Sequence, residues 1–392
     1  MIKHNNIIEL LKGIEGEWRT LGEVAEIANN TRKPVKTSLR IRGVLPYYGA
    51  NNIQDYVEGY THNGEYVLIA EDGSANLKNY SIQWATGKFW ANNHVHIVQG
   101  KPELNNRFLY HYLRNMNFIP YLTGGDRAKL TKSNLIEITI PIPPLHIQTE
   151  IVRILDTFTE LSAELTAELT ARKKQYNYYR DKLLTFKEDE VEWKALGDIS
   201  EKIYSGGTPK TDIAKYWENG TIPWMSSGEV NLTTVYKTEK FISETGLRNS
   251  SAKFVPKNSV VIALAGQGKT RGKVARTRID LTTNQSLASL TFDENKVNSD
   301  YIFHFLNTQY ENLRQISSGN GARGGLNLQM ISSYKVPIPS LKEQDRIVKI
   351  LDKFEALTNS LTEGLPREIE LRQKQYEYYR NLLLNFPKVE DK

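Results

Sequence analysis

"ITIPIPPLHIQTEIVRILDTF" (Ile138 to Phe158) returns as "YKVPIPSLKEQDRIVKILDKF" (Tyr334 to Phe354), and this echo decides how the chain is read. Pro141 and Pro337 lie 196 positions apart, as do Gln148 and Gln344, and Phe158 and Phe354. Further on, "RKKQYNYYRDKLLTF" (Arg172 to Phe186) returns as "RQKQYEYYRNLLLNF" (Arg372 to Phe386) at an offset of 200. The difference is four residues, about one helical turn. A repeat on this scale sets the architecture before any local reading does.

Within the first copy, Ile147, Ile151, Ile154, Phe158, Leu161, Leu165, Leu169, Arg172, Tyr176, Tyr179, Leu183 and Phe186 step by threes and fours. That is a coiled-coil seam with one stutter. Pro143 and Pro144 stand just ahead of it, where a helix tolerates proline. Some 40 residues predict a rod of roughly 60 Å. The second copy carries the seam through Ile347, Ile350, Phe354, Leu357, Leu361, Ile369, Tyr376, Tyr379 and Leu383, and Gly364 with Pro366 predicts a break in it. Matching seams predict two helices that pair antiparallel, with Ile151, Phe158, Leu165, Tyr176, Tyr179, Ile347, Phe354, Tyr376 and Tyr379 in the pairing or on partner-binding faces.

Working outward, the repeat grows fainter. "EWRTLGEV" (Glu17 to Val24) matches "EWKALGDI" (Glu192 to Ile199), "YVLIA" matches "SVVIA", and "FLYHYL" matches "YIFHFL". Short β-branched and aromatic runs between Gly, Asn and Ser turns predict an irregular sheet in each globule, with single helices mixed in. The expected fold is α+β: two mixed α/β globules separated by two long antiparallel coiled-coil helices, in a pseudo-twofold internal repeat. Its segments are a helical arm (1–17), a first globule (18–143), a central helix (144–186), a linker (187–192), a second globule (193–339), a C-terminal helix (340–386) and a tail (387–392).

The net charge of +6 favours anionic partners. The absence of cysteine excludes disulfides, thiolate metal sites and a cysteine nucleophile, and suits a reducing cytoplasm. The N-terminus lacks the apolar core of a signal peptide, and no stretch approaches transmembrane length, so no membrane partner is expected.

"ALAGQGKT", Ala263 to Thr270, fits a relaxed phosphate-binding loop. Such a loop needs a following helix whose amides hold phosphate. "RGKVARTRIDLTT" carries no helical stripe, and the sister copy "AEDGSANLKNY" has no lysine–threonine pair. Cations suit the region better. Lys269, Arg271 and Lys273 alternate, as do Arg276 and Arg278, and in extended chain each set faces one side. In the first globule Arg32, Lys33, Lys36, Arg40 and Arg42 cluster, with no Asp or Glu from Ile27 through Gln54. Two basic clusters in two repeated globules predict contacts to a phosphate backbone. Asn92, Asn93, Asn284 and Gln285 are candidates for base contacts, and Tyr47, Trp224, Arg127 and Arg323 join the DNA-binding set through the aligned pairs Pro46-Tyr47 with Pro223-Trp224 and "GDRAKL" with "GARGGL". His111 and His304 read as core histidines. No third ligand clusters with His94 and His96, so no metal site is expected. No hydrolase, methyltransferase or nuclease motif occurs.

The stretches "PIPPLHIQTEIVRILDTFTEL", "LTAELTARKKQYNYYRDKLLTF" and "GLPREIELRQKQYEYYRNLLLNF" resemble the conserved regions of the specificity (S) subunits of type I restriction–modification systems, and the resemblance covers nearly the whole chain. It implies that the globules are target recognition domains, each reading one half of a split double-stranded DNA site, while the paired helices set the gap. It further implies two methyltransferase (M) subunits on the helices and translocating endonuclease (R) subunits for cleavage, in a bacterial or archaeal cytoplasm. Catalysis would then be supplied by partners that hold S-adenosylmethionine, ATP and magnesium, with no cofactor on this chain. Two other readings stand beside it: an enzyme using the Ala263–Thr270 loop on a nucleotide, and a DNA-binding scaffold without sequence preference.

Overall fold

The computed structural model describes residues 10–14, 16–125, 128–187, 189–266, 270–317, 325–360 and 362–387. The chain divides into two compact units, residues 1–167 with 367–392 and residues 168–366. The C-terminal helix, from Arg367 on, therefore belongs to the unit that holds the first globule.

The echoed "EWRT" and "EWKA" segments close their globules in the same way. Glu17–Thr20 pairs antiparallel with Thr139–Ile142, placing Trp18 opposite Pro141. Glu192–Ala195 pairs with Lys335–Ile338, placing Trp193 opposite Pro337. Each pair brings the start and end of a globule together just before the chain enters a long helix.

Between those closures the units differ. The first holds a six-stranded sheet in the order Ala25–Ile27, Val95–Gly100, His62–Ala70, Ile82–Ala91, Arg42–Gly49, Asn52–Val57. Val67, Ile69 and Val98 lie in its main core cluster with Phe108, Ile151 and Ile154, whereas Leu68, Phe89 and Ile97 form a cluster of their own. Neighbouring residues of one strand thus fall into different cores, as the two-residue period of a strand dictates. The second unit holds a five-stranded sheet centred on Val260–Ala263 and a four-stranded sheet centred on Ile222–Met225 and Leu281–Thr283.

Leu145–Leu184 is one helix of 40 residues, as the seam predicts. Its partner is broken into Leu341–Asn359 and Gly364–Leu383. At the break the Ser360 hydroxyl accepts from the backbone N–H of Glu363, and Gly364 sits at φ +76°. A Cβ there would lie 2.4 Å from the Ala356 carbonyl oxygen, so only glycine fits. Phe158 stacks on Tyr379 in the first unit (5.5 Å, 23°) and Tyr179 stacks on Phe354 in the second (5.7 Å, 23°). The order of partners reverses along the chain, so the pairing is antiparallel. Leu165 is only half-buried, while Ile151, Ile347 and Tyr379 are buried in their cores.

A buried glutamine fixes each helix start. Gln148 donates to the Pro143 carbonyl (2.7 Å) and accepts from the Asn105 N–H (2.8 Å). Gln344 donates to the Pro339 carbonyl (2.8 Å) and accepts from the Asn298 N–H (2.9 Å). Both are fully buried and satisfied at both ends, which locks helix to globule.

Candidate nucleic-acid interface

The phosphate-loop reading fails on backbone grounds. After Val260–Ala263 the chain returns as the strand Val274–Thr277, antiparallel, with Ile262 opposite Val274. A strand follows where a phosphate loop requires a helix, and the buried Thr270 hydroxyl donates to the Ala265 carbonyl. Lys269 lies outside the described residues, as do Arg127 and Arg323.

Two of the expected contact cations in the second unit are structural instead. Arg276 is buried, its guanidinium held by Asp352 (2.7 Å), Glu355 (2.9 Å) and Asp300 (3.2 Å) and lying 4.7 Å from the centre of the Phe303 ring. Arg278 makes two 2.8 Å bonds to Asp300. Alternation along the strand places this pair together, as expected, but inward, where the carboxylates neutralise them. His304, Asp352 and Glu355 have the spacing of a metal-ligand group, and the Arg276 guanidinium donates to both of those carboxylates. Burial tends to push the Asp352 carboxyl up, yet bonds from His304 and Arg276 outweigh it and hold it down at about 2. Trp224 is buried, its indole N–H donating to the Gly207 carbonyl. Asn284 is half-buried and accepts from the Ser286 N–H two residues on, whereas Gln285 is exposed. Arg271 is half-buried, and Lys273 reaches Asn231 at 2.6 Å.

The same sorting applies in the first unit. Arg32 is half-buried and tied to Glu71 (2.7 Å) and the Val95 carbonyl (2.6 Å). Arg40 stacks 4.1 Å over the buried Tyr47 ring, donates to the Val35 carbonyl and reaches Asp55 at 3.3 Å. Asn92 is buried and caps the His94 N–H; Asn93 is exposed. Lys33, Lys36 and Arg42 remain exposed. Arg32, Arg40 and Tyr47 therefore build the surface on which these three cations stand.

Sequence reasoning missed the apolar partners of those cations. Leu39, Ile41 and Val44 are 70%, 67% and 86% exposed, and Tyr56 is 53% exposed. Arg42, Val44 and Tyr56 line one concavity, and Lys33, Leu39, Ile41 and Trp90 line a second, of about 250 Å³, beside it. In the second unit Tyr236 and Phe254 are exposed among Lys237, Lys240, Lys253 and Lys257. The available signal was apolar residues inside an acid-free basic run that fits neither helical nor strand periodicity.

His111 and His304, read as core histidines, are buried and donate from Nε2 at 2.8 Å to Asp156 and Asp352, about three turns into the repeated helices. Arg107 completes the first site with bonds to both Asp156 oxygens (3.0 and 3.1 Å).

A family model for the type I restriction modification DNA specificity domain matches twice, at residues 15–172 and 188–371. The chain is 50% identical over 396 residues to a candidate type I restriction enzyme specificity subunit of Haemophilus influenzae, covering 96% of this chain and 97% of that one. It is 41% identical over 403 residues to the type I restriction enzyme EcoR124I/EcoR124II specificity subunit of Escherichia coli, covering 97% of each. Its fold is similar to the crystal structure of a type I restriction–modification S subunit from M. genitalium, with a TM-score of 0.62, 17% identity and 99% of each chain covered. Among the described residues no helix is long and apolar enough to cross a membrane. A doubled recognition domain, a doubled helix and relatives of equal length converge: the chain belongs to the specificity subunits of type I restriction–modification systems, which are not themselves catalytic.

Proposed function

We propose that residues 18–143 and 193–339 each read one half of a bipartite double-stranded DNA site, and that the helices of 144–186 and 340–386 set the spacer and carry two methyltransferase subunits. The endonuclease subunits join that complex for cleavage. S-adenosylmethionine, ATP and magnesium belong to these partners, and the complex works in a bacterial or archaeal cytoplasm. One observation carries the reading. The framework contacts occur twice, at Gln148 and Gln344, Asp156 and Asp352, and Phe158 with Tyr379 and Tyr179 with Phe354. Among the described residues of the two globules, the exposed cations and aromatics do not repeat. Two framework copies holding two different surfaces suit two different half-sites, since half-site arrangement follows protein symmetry. Phosphate contacts are assigned to Lys33, Lys36 and Arg42 in the first domain and to Lys273 with Lys237, Lys240, Lys253 and Lys257 in the second. Tyr178 and Tyr378, 59% and 54% exposed at equivalent helix positions, support a pair of matching partner sites.

The test is domain exchange. Residues 193–339 are replaced by the corresponding domain of a relative, and methylated sites are mapped in cells carrying the matching methyltransferase. One half-site changes and the other stays. A change in both half-sites defeats the reading of independent domains.

A further inference from the structure

We infer that the first domain reads thymine through an apolar prong made of Leu39, Ile41 and Val44, which meets thymine C5-methyl groups in the major groove. The inference rests on the DNA-reading function proposed above and deepens it to a base class.

Three features of the segment carry it. First, the prong is built. Arg42 and Leu45 both pair with Val57, so Gly43 and Val44 form a bulge in the strand Arg42–Gly49. A Cβ on Gly43 would lie 2.4 Å from the Val57 backbone, so glycine alone permits the approach that throws Val44 outward to 86% exposure. Bulges commonly re-aim a side chain in this way. Second, the base of the prong is rigid. Between Leu39 and Ile41, Arg40 points back, stacked on Tyr47 and bonded to the Val35 carbonyl and Asp55. Its neighbours are thereby turned outward and held, and little side-chain or loop freedom is left to lose on binding.

Third, the surroundings select the partner. Exposed Lys33, Lys36 and Arg42 flank the apolar groups, and no acid occurs from Ile27 through Gln54. Asp55 is engaged by Arg40, and Glu58 stands exposed at the margin of the smaller concavity. A cationic rim around an apolar centre is complementary to duplex DNA at a point where its floor is apolar. The C5-methyl of thymine is the apolar group that bases present in the major groove, and that groove admits a two-stranded ribbon such as Arg42–Gly49 with Asn52–Val57.

The experiment uses the intact specificity–methyltransferase complex on its own methylated sequence. The half-site kept when residues 193–339 are exchanged is the one assigned to the first domain. Each thymine of that half-site is replaced singly by uracil, which removes only the methyl group. At least one replacement weakens binding about fourfold, the value of one buried methyl. Val44→Ala, Val44→Thr and the double variant Leu39→Ala with Ile41→Ala are then measured on both duplexes. In at least one of them thymine and uracil duplexes bind alike. All three leave the melting temperature unchanged, because the side chains are exposed. A half-site without thymine, a half-site indifferent to uracil, or a uracil penalty unchanged in every variant overturns the inference while leaving the bipartite reader intact. A complex that binds its own methylated sequence no better than a duplex of random sequence overturns both.

Discussion

Replacing Arg276 separates a cation that holds the fold from one that holds DNA. Its side chain is 7% exposed and meets three carboxylates within 3.2 Å, of which Glu355 and Asp300 are about four-fifths buried and Asp352 about two-thirds. Arg276→Met keeps the aliphatic bulk against Phe303 and removes the charge, leaving three acids to repel one another. Breaking a buried pair from one side costs about 3–5 kcal/mol, and partial exposure of the carboxylates places this case near about 3. For a unit of this size each kcal/mol moves the melting temperature by about 2–4 °C, so a fall of roughly 6–12 °C is expected by calorimetry of the full chain. The slope of log affinity against log salt for DNA stays as it was, because no phosphate contact is lost. Adding Asp352→Asn and Glu355→Gln recovers part of the melting temperature. A variant that melts within a degree of the wild type, with a salt slope shallower by about 0.9, refutes the structural role and restores Arg276 to the DNA surface.

In contrast, Lys33→Ala, Lys36→Ala and Arg42→Ala each leave melting unchanged and each shallow the salt slope by about 0.9, read by titration at several ionic strengths. Burial holds His62, His96 and His111 below the ordinary histidine value. Their neutral forms stabilise the first unit fully above about pH 6.5, and that stability is lost as pH falls below the unfolded value toward the folded ones, by up to about 1.4 kcal/mol per pH unit for each histidine. Hydrogen exchange at pH 7.5 and 5.5 checks it: peptides around these residues lose protection at the lower pH, and equal protection removes the linkage. A third "AELT" after Thr170 extends the helix Leu145–Leu184 by roughly 6 Å with a rotation of about 40°, so methylation mapping finds the same half-sites with a spacer longer by about one or two base pairs. An unchanged spacer at full activity means the helix is not the ruler.

What was legible in the sequence is what periodicity and repetition write into it. The 40-residue helix, the break before Gly364, the antiparallel pairing and the buried histidines all follow from apolar spacing, because burial along a helix is enforced residue by residue. Which cations face solvent was not legible. Arg276 and Arg278 alternate just as DNA-facing residues on a strand would, and only their distant partners Asp300, Asp352 and Glu355 turn them inward. Long-range ion pairs leave no local pattern. The outward cast of Val44 was equally hidden, since it depends on Gly43 approaching Val57 across the sheet.

Asp156 and Asp352 show how the two halves of such a chain can diverge on a shared frame. Both sit at the same place in the repeated helix, and both take a 2.8 Å bond with the equivalent histidine, His111 or His304. The balancing guanidinium comes from the helix Asn106–Arg114 in the first unit, as Arg107, and from the strand Val274–Thr277 in the second, as Arg276. The frame therefore asks for one cation beside this aspartate and is indifferent to which element supplies it. That indifference frees each domain to rearrange strands and loops around a fixed helix. The exposed surface of each domain can then differ, while the helix pairing that both domains depend on stays constant.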